Sequence, residues 1–218
     1  MTEEILYTTT KKCICCGKEF ETKRMKTSKI RIKRKDNDNC PHYTSENPMF
    51  FEFNSCVHCG TVFTDSMKPA NTIQKIELTN IFMKNCALSK NERTLQEALR
   101  LSKLALVTSK ITEAPHSIIS GICMRIAWFN RYLGNQEEEQ KFLRYAAEEY
   151  EKVYLDGDPA ISEIQLVYIL GEIYFLLKDK EKTKQWFNIL FKHDAKDPIV
   201  KKGKDRWYDI KMSLEESA

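Results

Sequence analysis

No stretch of this sequence approaches the roughly 18 consecutive apolar residues that a membrane-spanning helix requires. The chain also lacks an apolar opening segment: Met1-Thr2-Glu3-Glu4-Ile5-Leu6-Tyr7 is acidic, which argues against a secretory signal. Seven glycines and six prolines in 218 residues are too few for a low-complexity chain. Nor is there a converging set of polar residues of the kind an enzyme needs. His116 follows Pro115 at an expected helix start, which suits a surface or capping role. His193 falls at an expected helix end, where a cation complements the dipole. With 42% hydrophobic and 30% charged residues, the chain reads as globular rather than disordered. Its length admits one large domain, or a small module beside a helical one. The net charge of +4 is unevenly spread, since residues 1–35 hold eleven Lys/Arg against four Glu.

Cysteine is what the chain does have. Eight cysteines without a secretory signal suggest a reducing compartment, so a cytoplasmic location is expected; paired Cys-x-x-Cys there more often means metal than disulfide. Cys13-Ile14-Cys15-Cys16-Gly17-Lys18-Glu19-Phe20 and Cys56-Val57-His58-Cys59-Gly60-Thr61-Val62-Phe63 both fit C-x-x-C-G-x-x-F. Two such turns can supply four thiolates, from Cys13, Cys16, Cys56 and Cys59, to one tetrahedral Zn²⁺. Gly17 and Gly60 permit the positive φ by which each turn doubles back. Phe20 and Phe63 are placed to pack against the opposite turn. The 39 residues between Cys16 and Cys56 exceed the usual spacer of roughly 15–20. Loop closure costs only about 0.6 kcal/mol per doubling of length, against about 10–16 kcal/mol for zinc binding. A metal can therefore close this loop, and with four thiolates it would be structural, having no position left for water.

Other ligands compete. Cys15 adjoins Cys16, and neighbouring residues in such a turn rarely point at one ion; His58 should face outward for the same reason. Cys40 and His42, in Asn39-Cys40-Pro41-His42-Tyr43, would replace one ligand, form a second site, or stand as ordinary loop residues, which the motif spacing favours. Dithiol exchange is the rival chemistry, but it expects a βαβ context and would not call for two copies of the turn.

Between the turns, Lys23, Arg24, Lys26, Lys29, Arg31, Lys33, Arg34 and Lys35 fall within thirteen residues. Ile30 and Ile32 alternate with Arg31 and Lys33, as in a strand with one wet face. Such a strip suits phosphate contacts on nucleic acid; it equally suits a solvated strand edge, and no aromatic is interleaved to stack on bases. Phe50-Phe51-Glu52-Phe53 reads as a strand leading into the second turn.

From Thr72 onward the period becomes helical. Ile73, Ile76, Ile81 and Phe82 suggest a first buried stripe. Ser89 and Glu92 form a capping box for a helix with Leu95, Ala98, Leu99, Leu101, Ala105 and Leu106 on one face. Pro115 precedes a helix carrying Ile118, Ile119, Ile122, Ile126, Phe129 and Leu133, and Gly134-Asn135 turns the chain into another with Phe142, Ala146, Tyr150 and Val153, ended by Gly157. Asp158-Pro159 and Asp197-Pro198 both read as an N-cap followed by proline at the first helical position. Helices are expected over 160–177, 180–193 and 199–214. Cys86 and Cys123, on apolar stretches, read as core thiols. Leu170-Gly171 with Tyr174, Thr183 and Phe187 look like a tetratricopeptide repeat, although Lys178-Asp179 stands where that family has its turn glycine. The expected fold is mainly α: a tetratricopeptide-like α-solenoid over 69–218 behind a small zinc-ribbon-like β module over 1–68. If the repeats bind a peptide, Arg125, Trp128 and Arg131 are the groove residues; a core place suits Trp128 equally.

Taken whole, the chain resembles a bacterial family of uncharacterised proteins, domain of unknown function twenty-two twenty-five. The residues that carry the likeness are Cys13, Cys16, Gly17, Asp36, Asp38, Tyr43, Asn47-Pro48, Cys56, Cys59, Gly60, Arg93-Thr94, Leu104-Ala105-Leu106 and Ala127-Trp128. Thr61-Val62 and the extra Cys15 depart from its pattern. The resemblance implies this architecture and no activity. The expected function is a non-enzymatic zinc-binding adaptor that engages a protein through its helices; the alternative is nucleic-acid binding by the basic segment.

Overall fold

The computed structural model describes residues 5–82, 93–159 and 161–215. Each cysteine turn is the loop of an antiparallel hairpin. The first joins β1 (Leu6–Lys12) to β2 (Glu19–Met25), with Leu6 opposite Met25 and Lys12 opposite Glu19. The second joins β5 (Asn54–Ser55) to β6 (Val62–Phe63). Between them a third hairpin pairs β3 (Ile32–Lys35) with β4 (Pro41–Tyr43). Its loop is closed by the Asp36 N–H donating to the Cys40 carbonyl at 2.8 Å.

Two expectations for this region change. The strand expected at Phe50–Phe53 is instead a 3₁₀ turn, Pro48–Phe51, because the Asn47 side chain accepts the Met49 N–H and Pro48 presets the first helical φ. The alternating face on β3 is absent: all four residues are exposed and Ile32 is 46% accessible, since β3 pairs with β4 alone.

The helices follow as α1 (Thr72–Phe82), α2 (Leu95–Ile111), α3 (His116–Tyr132), α4 (Gln136–Asp156), α5 (Glu163–Leu176), α6 (Lys180–Leu190) and α7 (Pro198–Glu215). From α1 to α7 each packs on the next, and α5 also meets α7. On α1 the buried stripe is not the expected one. Leu78 and Phe82 are buried, whereas Ile73 and Ile76 are 77% and 60% exposed. The helix presents the face holding Lys75, Leu78, Thr79 and Phe82 to the first cysteine turn, where the Cys15 thiol lies 3.8 Å from both the Lys75 carbonyl and the Thr79 hydroxyl. Ser89, Glu92 and Cys86 lie outside the described residues; α2 begins after Thr94, whose hydroxyl accepts the Glu97 N–H.

Pro115 opens α3, Asn135 caps α4, and Gly157 ends it at φ 73°. Asp197 accepts the Ile199 N–H at 2.7 Å, so Asp197-Pro198 does start α7. Asp158-Pro159 does not start α5. The Ile161 N–H returns to the Asp158 carbonyl in a turn, and the helix begins after Ser162. Lys178 takes the left-handed φ of 61° at the glycine-less turn before α6. Gly171 brings α5 against α6 so closely that a Cβ there would lie 2.8 Å from the Phe187 ring.

The buried apolar side chains form one continuous cluster, from Cys13, Phe20 and Phe63 through α2 and α3 to Leu190, Val200 and Ile210. The β hairpins and the helices thus share a core. Among the described residues no helix is long and apolar enough to cross a membrane.

Candidate metal centre

The repeat in the sequence becomes a repeat in the backbone. The Cys13 N–H donates to the Lys18 carbonyl at 2.9 Å and the Gly17 N–H to the Cys13 carbonyl at 3.1 Å; Cys56, Thr61 and Gly60 repeat this at 3.0 and 2.9 Å. Gly17 and Gly60 sit at φ 72° and 76°, where any Cβ would be strained. Phe20 and Phe63 meet edge to face at 6.1 Å between ring centres. Thus the residues outside the cysteines hold the two turns face to face.

The four sulfurs of Cys13, Cys16, Cys56 and Cys59 all lie within 4.8 Å of one another. Cys13 Sγ is 3.5 Å from Cys59 Sγ, and Cys16 Sγ is 3.7 Å from Cys56 Sγ. A disulfide would bring two sulfurs to about 2.05 Å. Four sulfurs at about 2.3 Å from a tetrahedral ion would stand about 3.8 Å apart. The spacing fits the second arrangement, and the donor set could hold one metal ion. Hydrogen bonding to the Cys56 and Cys59 thiols, with burial, pushes the Cys13 thiol up, while those of Cys13 and Cys56 hold Cys59 well below its usual value. Four thiolates this close would repel one another, and a cation among them would relieve that repulsion. The Cys15 N–H reaches Cys13 Sγ at 3.4 Å, and the Thr61 hydroxyl lies 3.2 Å from Cys59 Sγ, supports of the kind that orient ligands.

Cys15 points away from the cluster into the packing against α1. His58 turns outward, its Nε2 3.0 Å from the Glu19 carbonyl. Cys123 is buried at 1% exposure, as a core thiol. Cys40 and His42 contribute nothing to the four-sulfur cluster; with Asp36 they form a separate group within 4.8 Å of one another.

Arg125 and Trp128 line a cavity of about 490 Å³ with Tyr150, Tyr168 and Ile169, and Arg131 lines a second one. Each of the three residues has its polar atoms engaged by the chain's own hairpin region. Arg125 donates to Glu52 at 2.6 Å and stacks on the Trp128 ring at 4.7 Å. Trp128 is buried and donates to Asp38. Arg131 meets Asp36 at 3.0 Å, Asp38 at 2.7 Å and Glu139 at 2.7 Å. Burial works against the Arg131 charge, but hydrogen bonds to Asp38 and Glu139 outweigh it and hold its proton more tightly than usual. The acidic partners Asp36, Asp38 and Glu52 were invisible as such in the sequence, because they lie in a different segment from the arginines they neutralise.

Arg125 also borders a cleft of about 750 Å³ between the hairpins and α3, lined by Met25, Ile30, Phe51, Phe53, Ile118 and Ile122 among others. Gly121 lies on its wall, with nothing within 4 Å of where a Cβ would stand.

A family model described as an uncharacterized protein conserved in bacteria (DUF2225) matches residues 6–210, and the chain belongs to that family. No curated protein and no solved structure matches it.

Proposed function

We propose that this member of a bacterial family is a non-enzymatic scaffold, in which a structural zinc ion on Cys13, Cys16, Cys56 and Cys59 fastens a zinc-ribbon-like module onto tetratricopeptide-like helices. The reading rests on the four-sulfur geometry: at tetrahedral spacing the thiolates fill every position of the ion, leaving none for a reacting water. Zinc suits the donor set because thiolates are soft ligands and the ion has no geometric preference beyond the tetrahedron. Consecutive packing of α3 with α4 and α5 with α6, and the Gly171–Phe187 contact, support the repeat reading of the helices. The helices and module together offer a protein partner the apolar cleft beside α3, where one extended segment could bury a few side chains.

Protein purified without chelator should carry zinc. Its cobalt-substituted form should show strong thiolate charge transfer that is lost in Cys16→Ser. Purification without any zinc overturns the metal half of the proposal. Gly121→Trp fills the cleft from open space, so it should abolish partner capture while metal content stays unchanged. Capture of the same partners by that variant overturns the cleft as the binding surface.

A second reading, nucleic-acid binding, is favoured by one feature: Arg31 just before β3, and Lys33, Arg34 and Lys35 on it, are all exposed. It expects retention of DNA or RNA at low salt that weakens steeply as salt rises. Absence of retention at low salt ends it.

A further inference from the structure

We infer that Asp36, Cys40 and His42 form a second divalent-metal site, distinct from the four-cysteine centre and open on one side. The β3–β4 hairpin assembles it. Cys40 and His42 are two apart on an extended segment and so project to the same face. The tight loop, closed by Asp36 N–H to Cys40 O at 2.8 Å and Asn39 N–H to Asp36 O at 2.9 Å, folds Asp36 back beside them. Asn39 takes φ 67° to make that turn, one of three non-glycine residues with positive φ among those described.

The distances suit a shared ion. One ligand atom from each residue lies within 4.8 Å of the others, and His42 Nε2 stands 2.9 Å from Asp36 Oδ2. A tetrahedral ion with ligand bonds of about 2.0–2.1 Å would hold a nitrogen and an oxygen about 3.3 Å apart. A shift of a few tenths of an ångström, about 0.4 Å, would convert that hydrogen bond into a pair of coordinate bonds.

Charge points the same way. Arg131 is a half-buried cation beside the group, and it faces three carboxylates, Asp36, Asp38 and Glu139. Asp38 and Glu139 alone more than neutralise it, so Arg131 does not fully balance the Asp36 carboxylate. Arg34 also reaches Asp36, but its side chain is 60% exposed and so weakly committed. Cys40 is fully buried, its thiol donating to the Tyr132 oxygen at 3.4 Å while the Tyr132 hydroxyl donates to the Pro41 carbonyl. Asp36 and His42 are about one-fifth exposed, at 21% and 24%. The ion would be shielded on its sulfur side and open to water on the other. A mixed sulfur, nitrogen and oxygen set selects a zinc-class transition metal over calcium or magnesium, which want oxygen throughout.

The test is metal content of the full chain, stripped and reloaded with Zn²⁺ or Co²⁺ alone, in the native protein and in His42→Ala, Asp36→Asn and Cys16→Ser. Native protein should bind about two ions per chain, and His42→Ala and Asp36→Asn each about one. Both variants should keep the four-thiolate cobalt spectrum, which shows that they are folded and that the cysteine centre is untouched. One ion lost with His42→Ala but kept in Cys16→Ser would sustain this site and sink the four-cysteine reading instead. Equal metal content in native protein, His42→Ala and Asp36→Asn overturns the inference.

Discussion

The indole N–H of Trp128 donates to an Asp38 carboxylate oxygen at 2.9 Å, across 90 positions of sequence. Arg131 donates to both oxygens of the same carboxylate, at 3.1 and 2.7 Å, and Asp38 is 2% exposed. The β3–β4 loop is therefore tied to α3 by a buried charge that also accepts the Cys40 N–H of its own loop at 3.2 Å. A buried charge that loses its partner costs far more than the pair contributes.

Asp38→Ala leaves the buried Trp128 indole N–H without its acceptor while Arg131 keeps Asp36 and Glu139, and should destabilise the protein by about 1–3 kcal/mol. Trp128→Phe removes a single hydrogen bond to a charged group and should cost about 1.5–3 kcal/mol. Urea unfolding followed by circular dichroism gives both values. If Asp38→Ala unfolds at the native midpoint, the tie carries no weight.

The two adjacent cysteines of the first turn should behave oppositely. Cys16→Ser removes one of four ligands and should abolish metal retention at the cysteine centre in dialysis against a weak chelator. Cys15→Ser lies in the packing against α1 and should retain that metal. Equal loss in both variants would place Cys15 among the ligands.

Gly171→Ala would normally favour a helix by about 1 kcal/mol. Here the new Cβ lies 2.8 Å from the Phe187 ring, which is wedged against Trp207, Phe191 and Tyr168 and cannot swing aside. Overpacking of this kind costs about 1–3 kcal/mol, so a net loss of thermal stability is expected. Combining it with Phe187→Leu should recover part of that loss in a double-mutant cycle. Additive losses would mean that the two positions do not touch.

Glu149 joins α4 to His116 at the start of α3 and also binds Lys152. Burial raises its carboxyl, but hydrogen bonds from Lys152 and His116 outweigh that and hold it below the usual range. Its folded value lies below its unfolded one, so its contribution is present above the unfolded value and fades as pH falls through the folded one. Glu149→Gln should therefore be less stable than the native chain from pH 6 to 8, and the gap should close between about pH 5 and 3. A gap that stays constant down to pH 3 would contradict the assignment.

The sequence by itself determined what is local. The spacing of Cys13, Cys16, Cys56 and Cys59 with their glycines announced a four-sulfur cluster, because the turn chemistry is written within eight residues each time. Pro115, Asn135, Gly157 and Asp197-Pro198 marked helix ends for the same reason: caps and breakers act on their immediate neighbours. Gly171 and Phe187 stood out only as parts of a repeat-like pattern, and the structure puts them in close contact. Tertiary structure alone decided which side of α1 is dry, since an isoleucine periodicity cannot say where the neighbouring layer lies. It also turned Arg125, Trp128 and Arg131 onto the hairpins and gathered Asp36, Cys40 and His42 beside them. Those pairings join residues up to 95 positions apart. Such distant partners are chosen by the packing of whole elements, where burying an arginine demands a carboxylate from whichever segment the fold brings near.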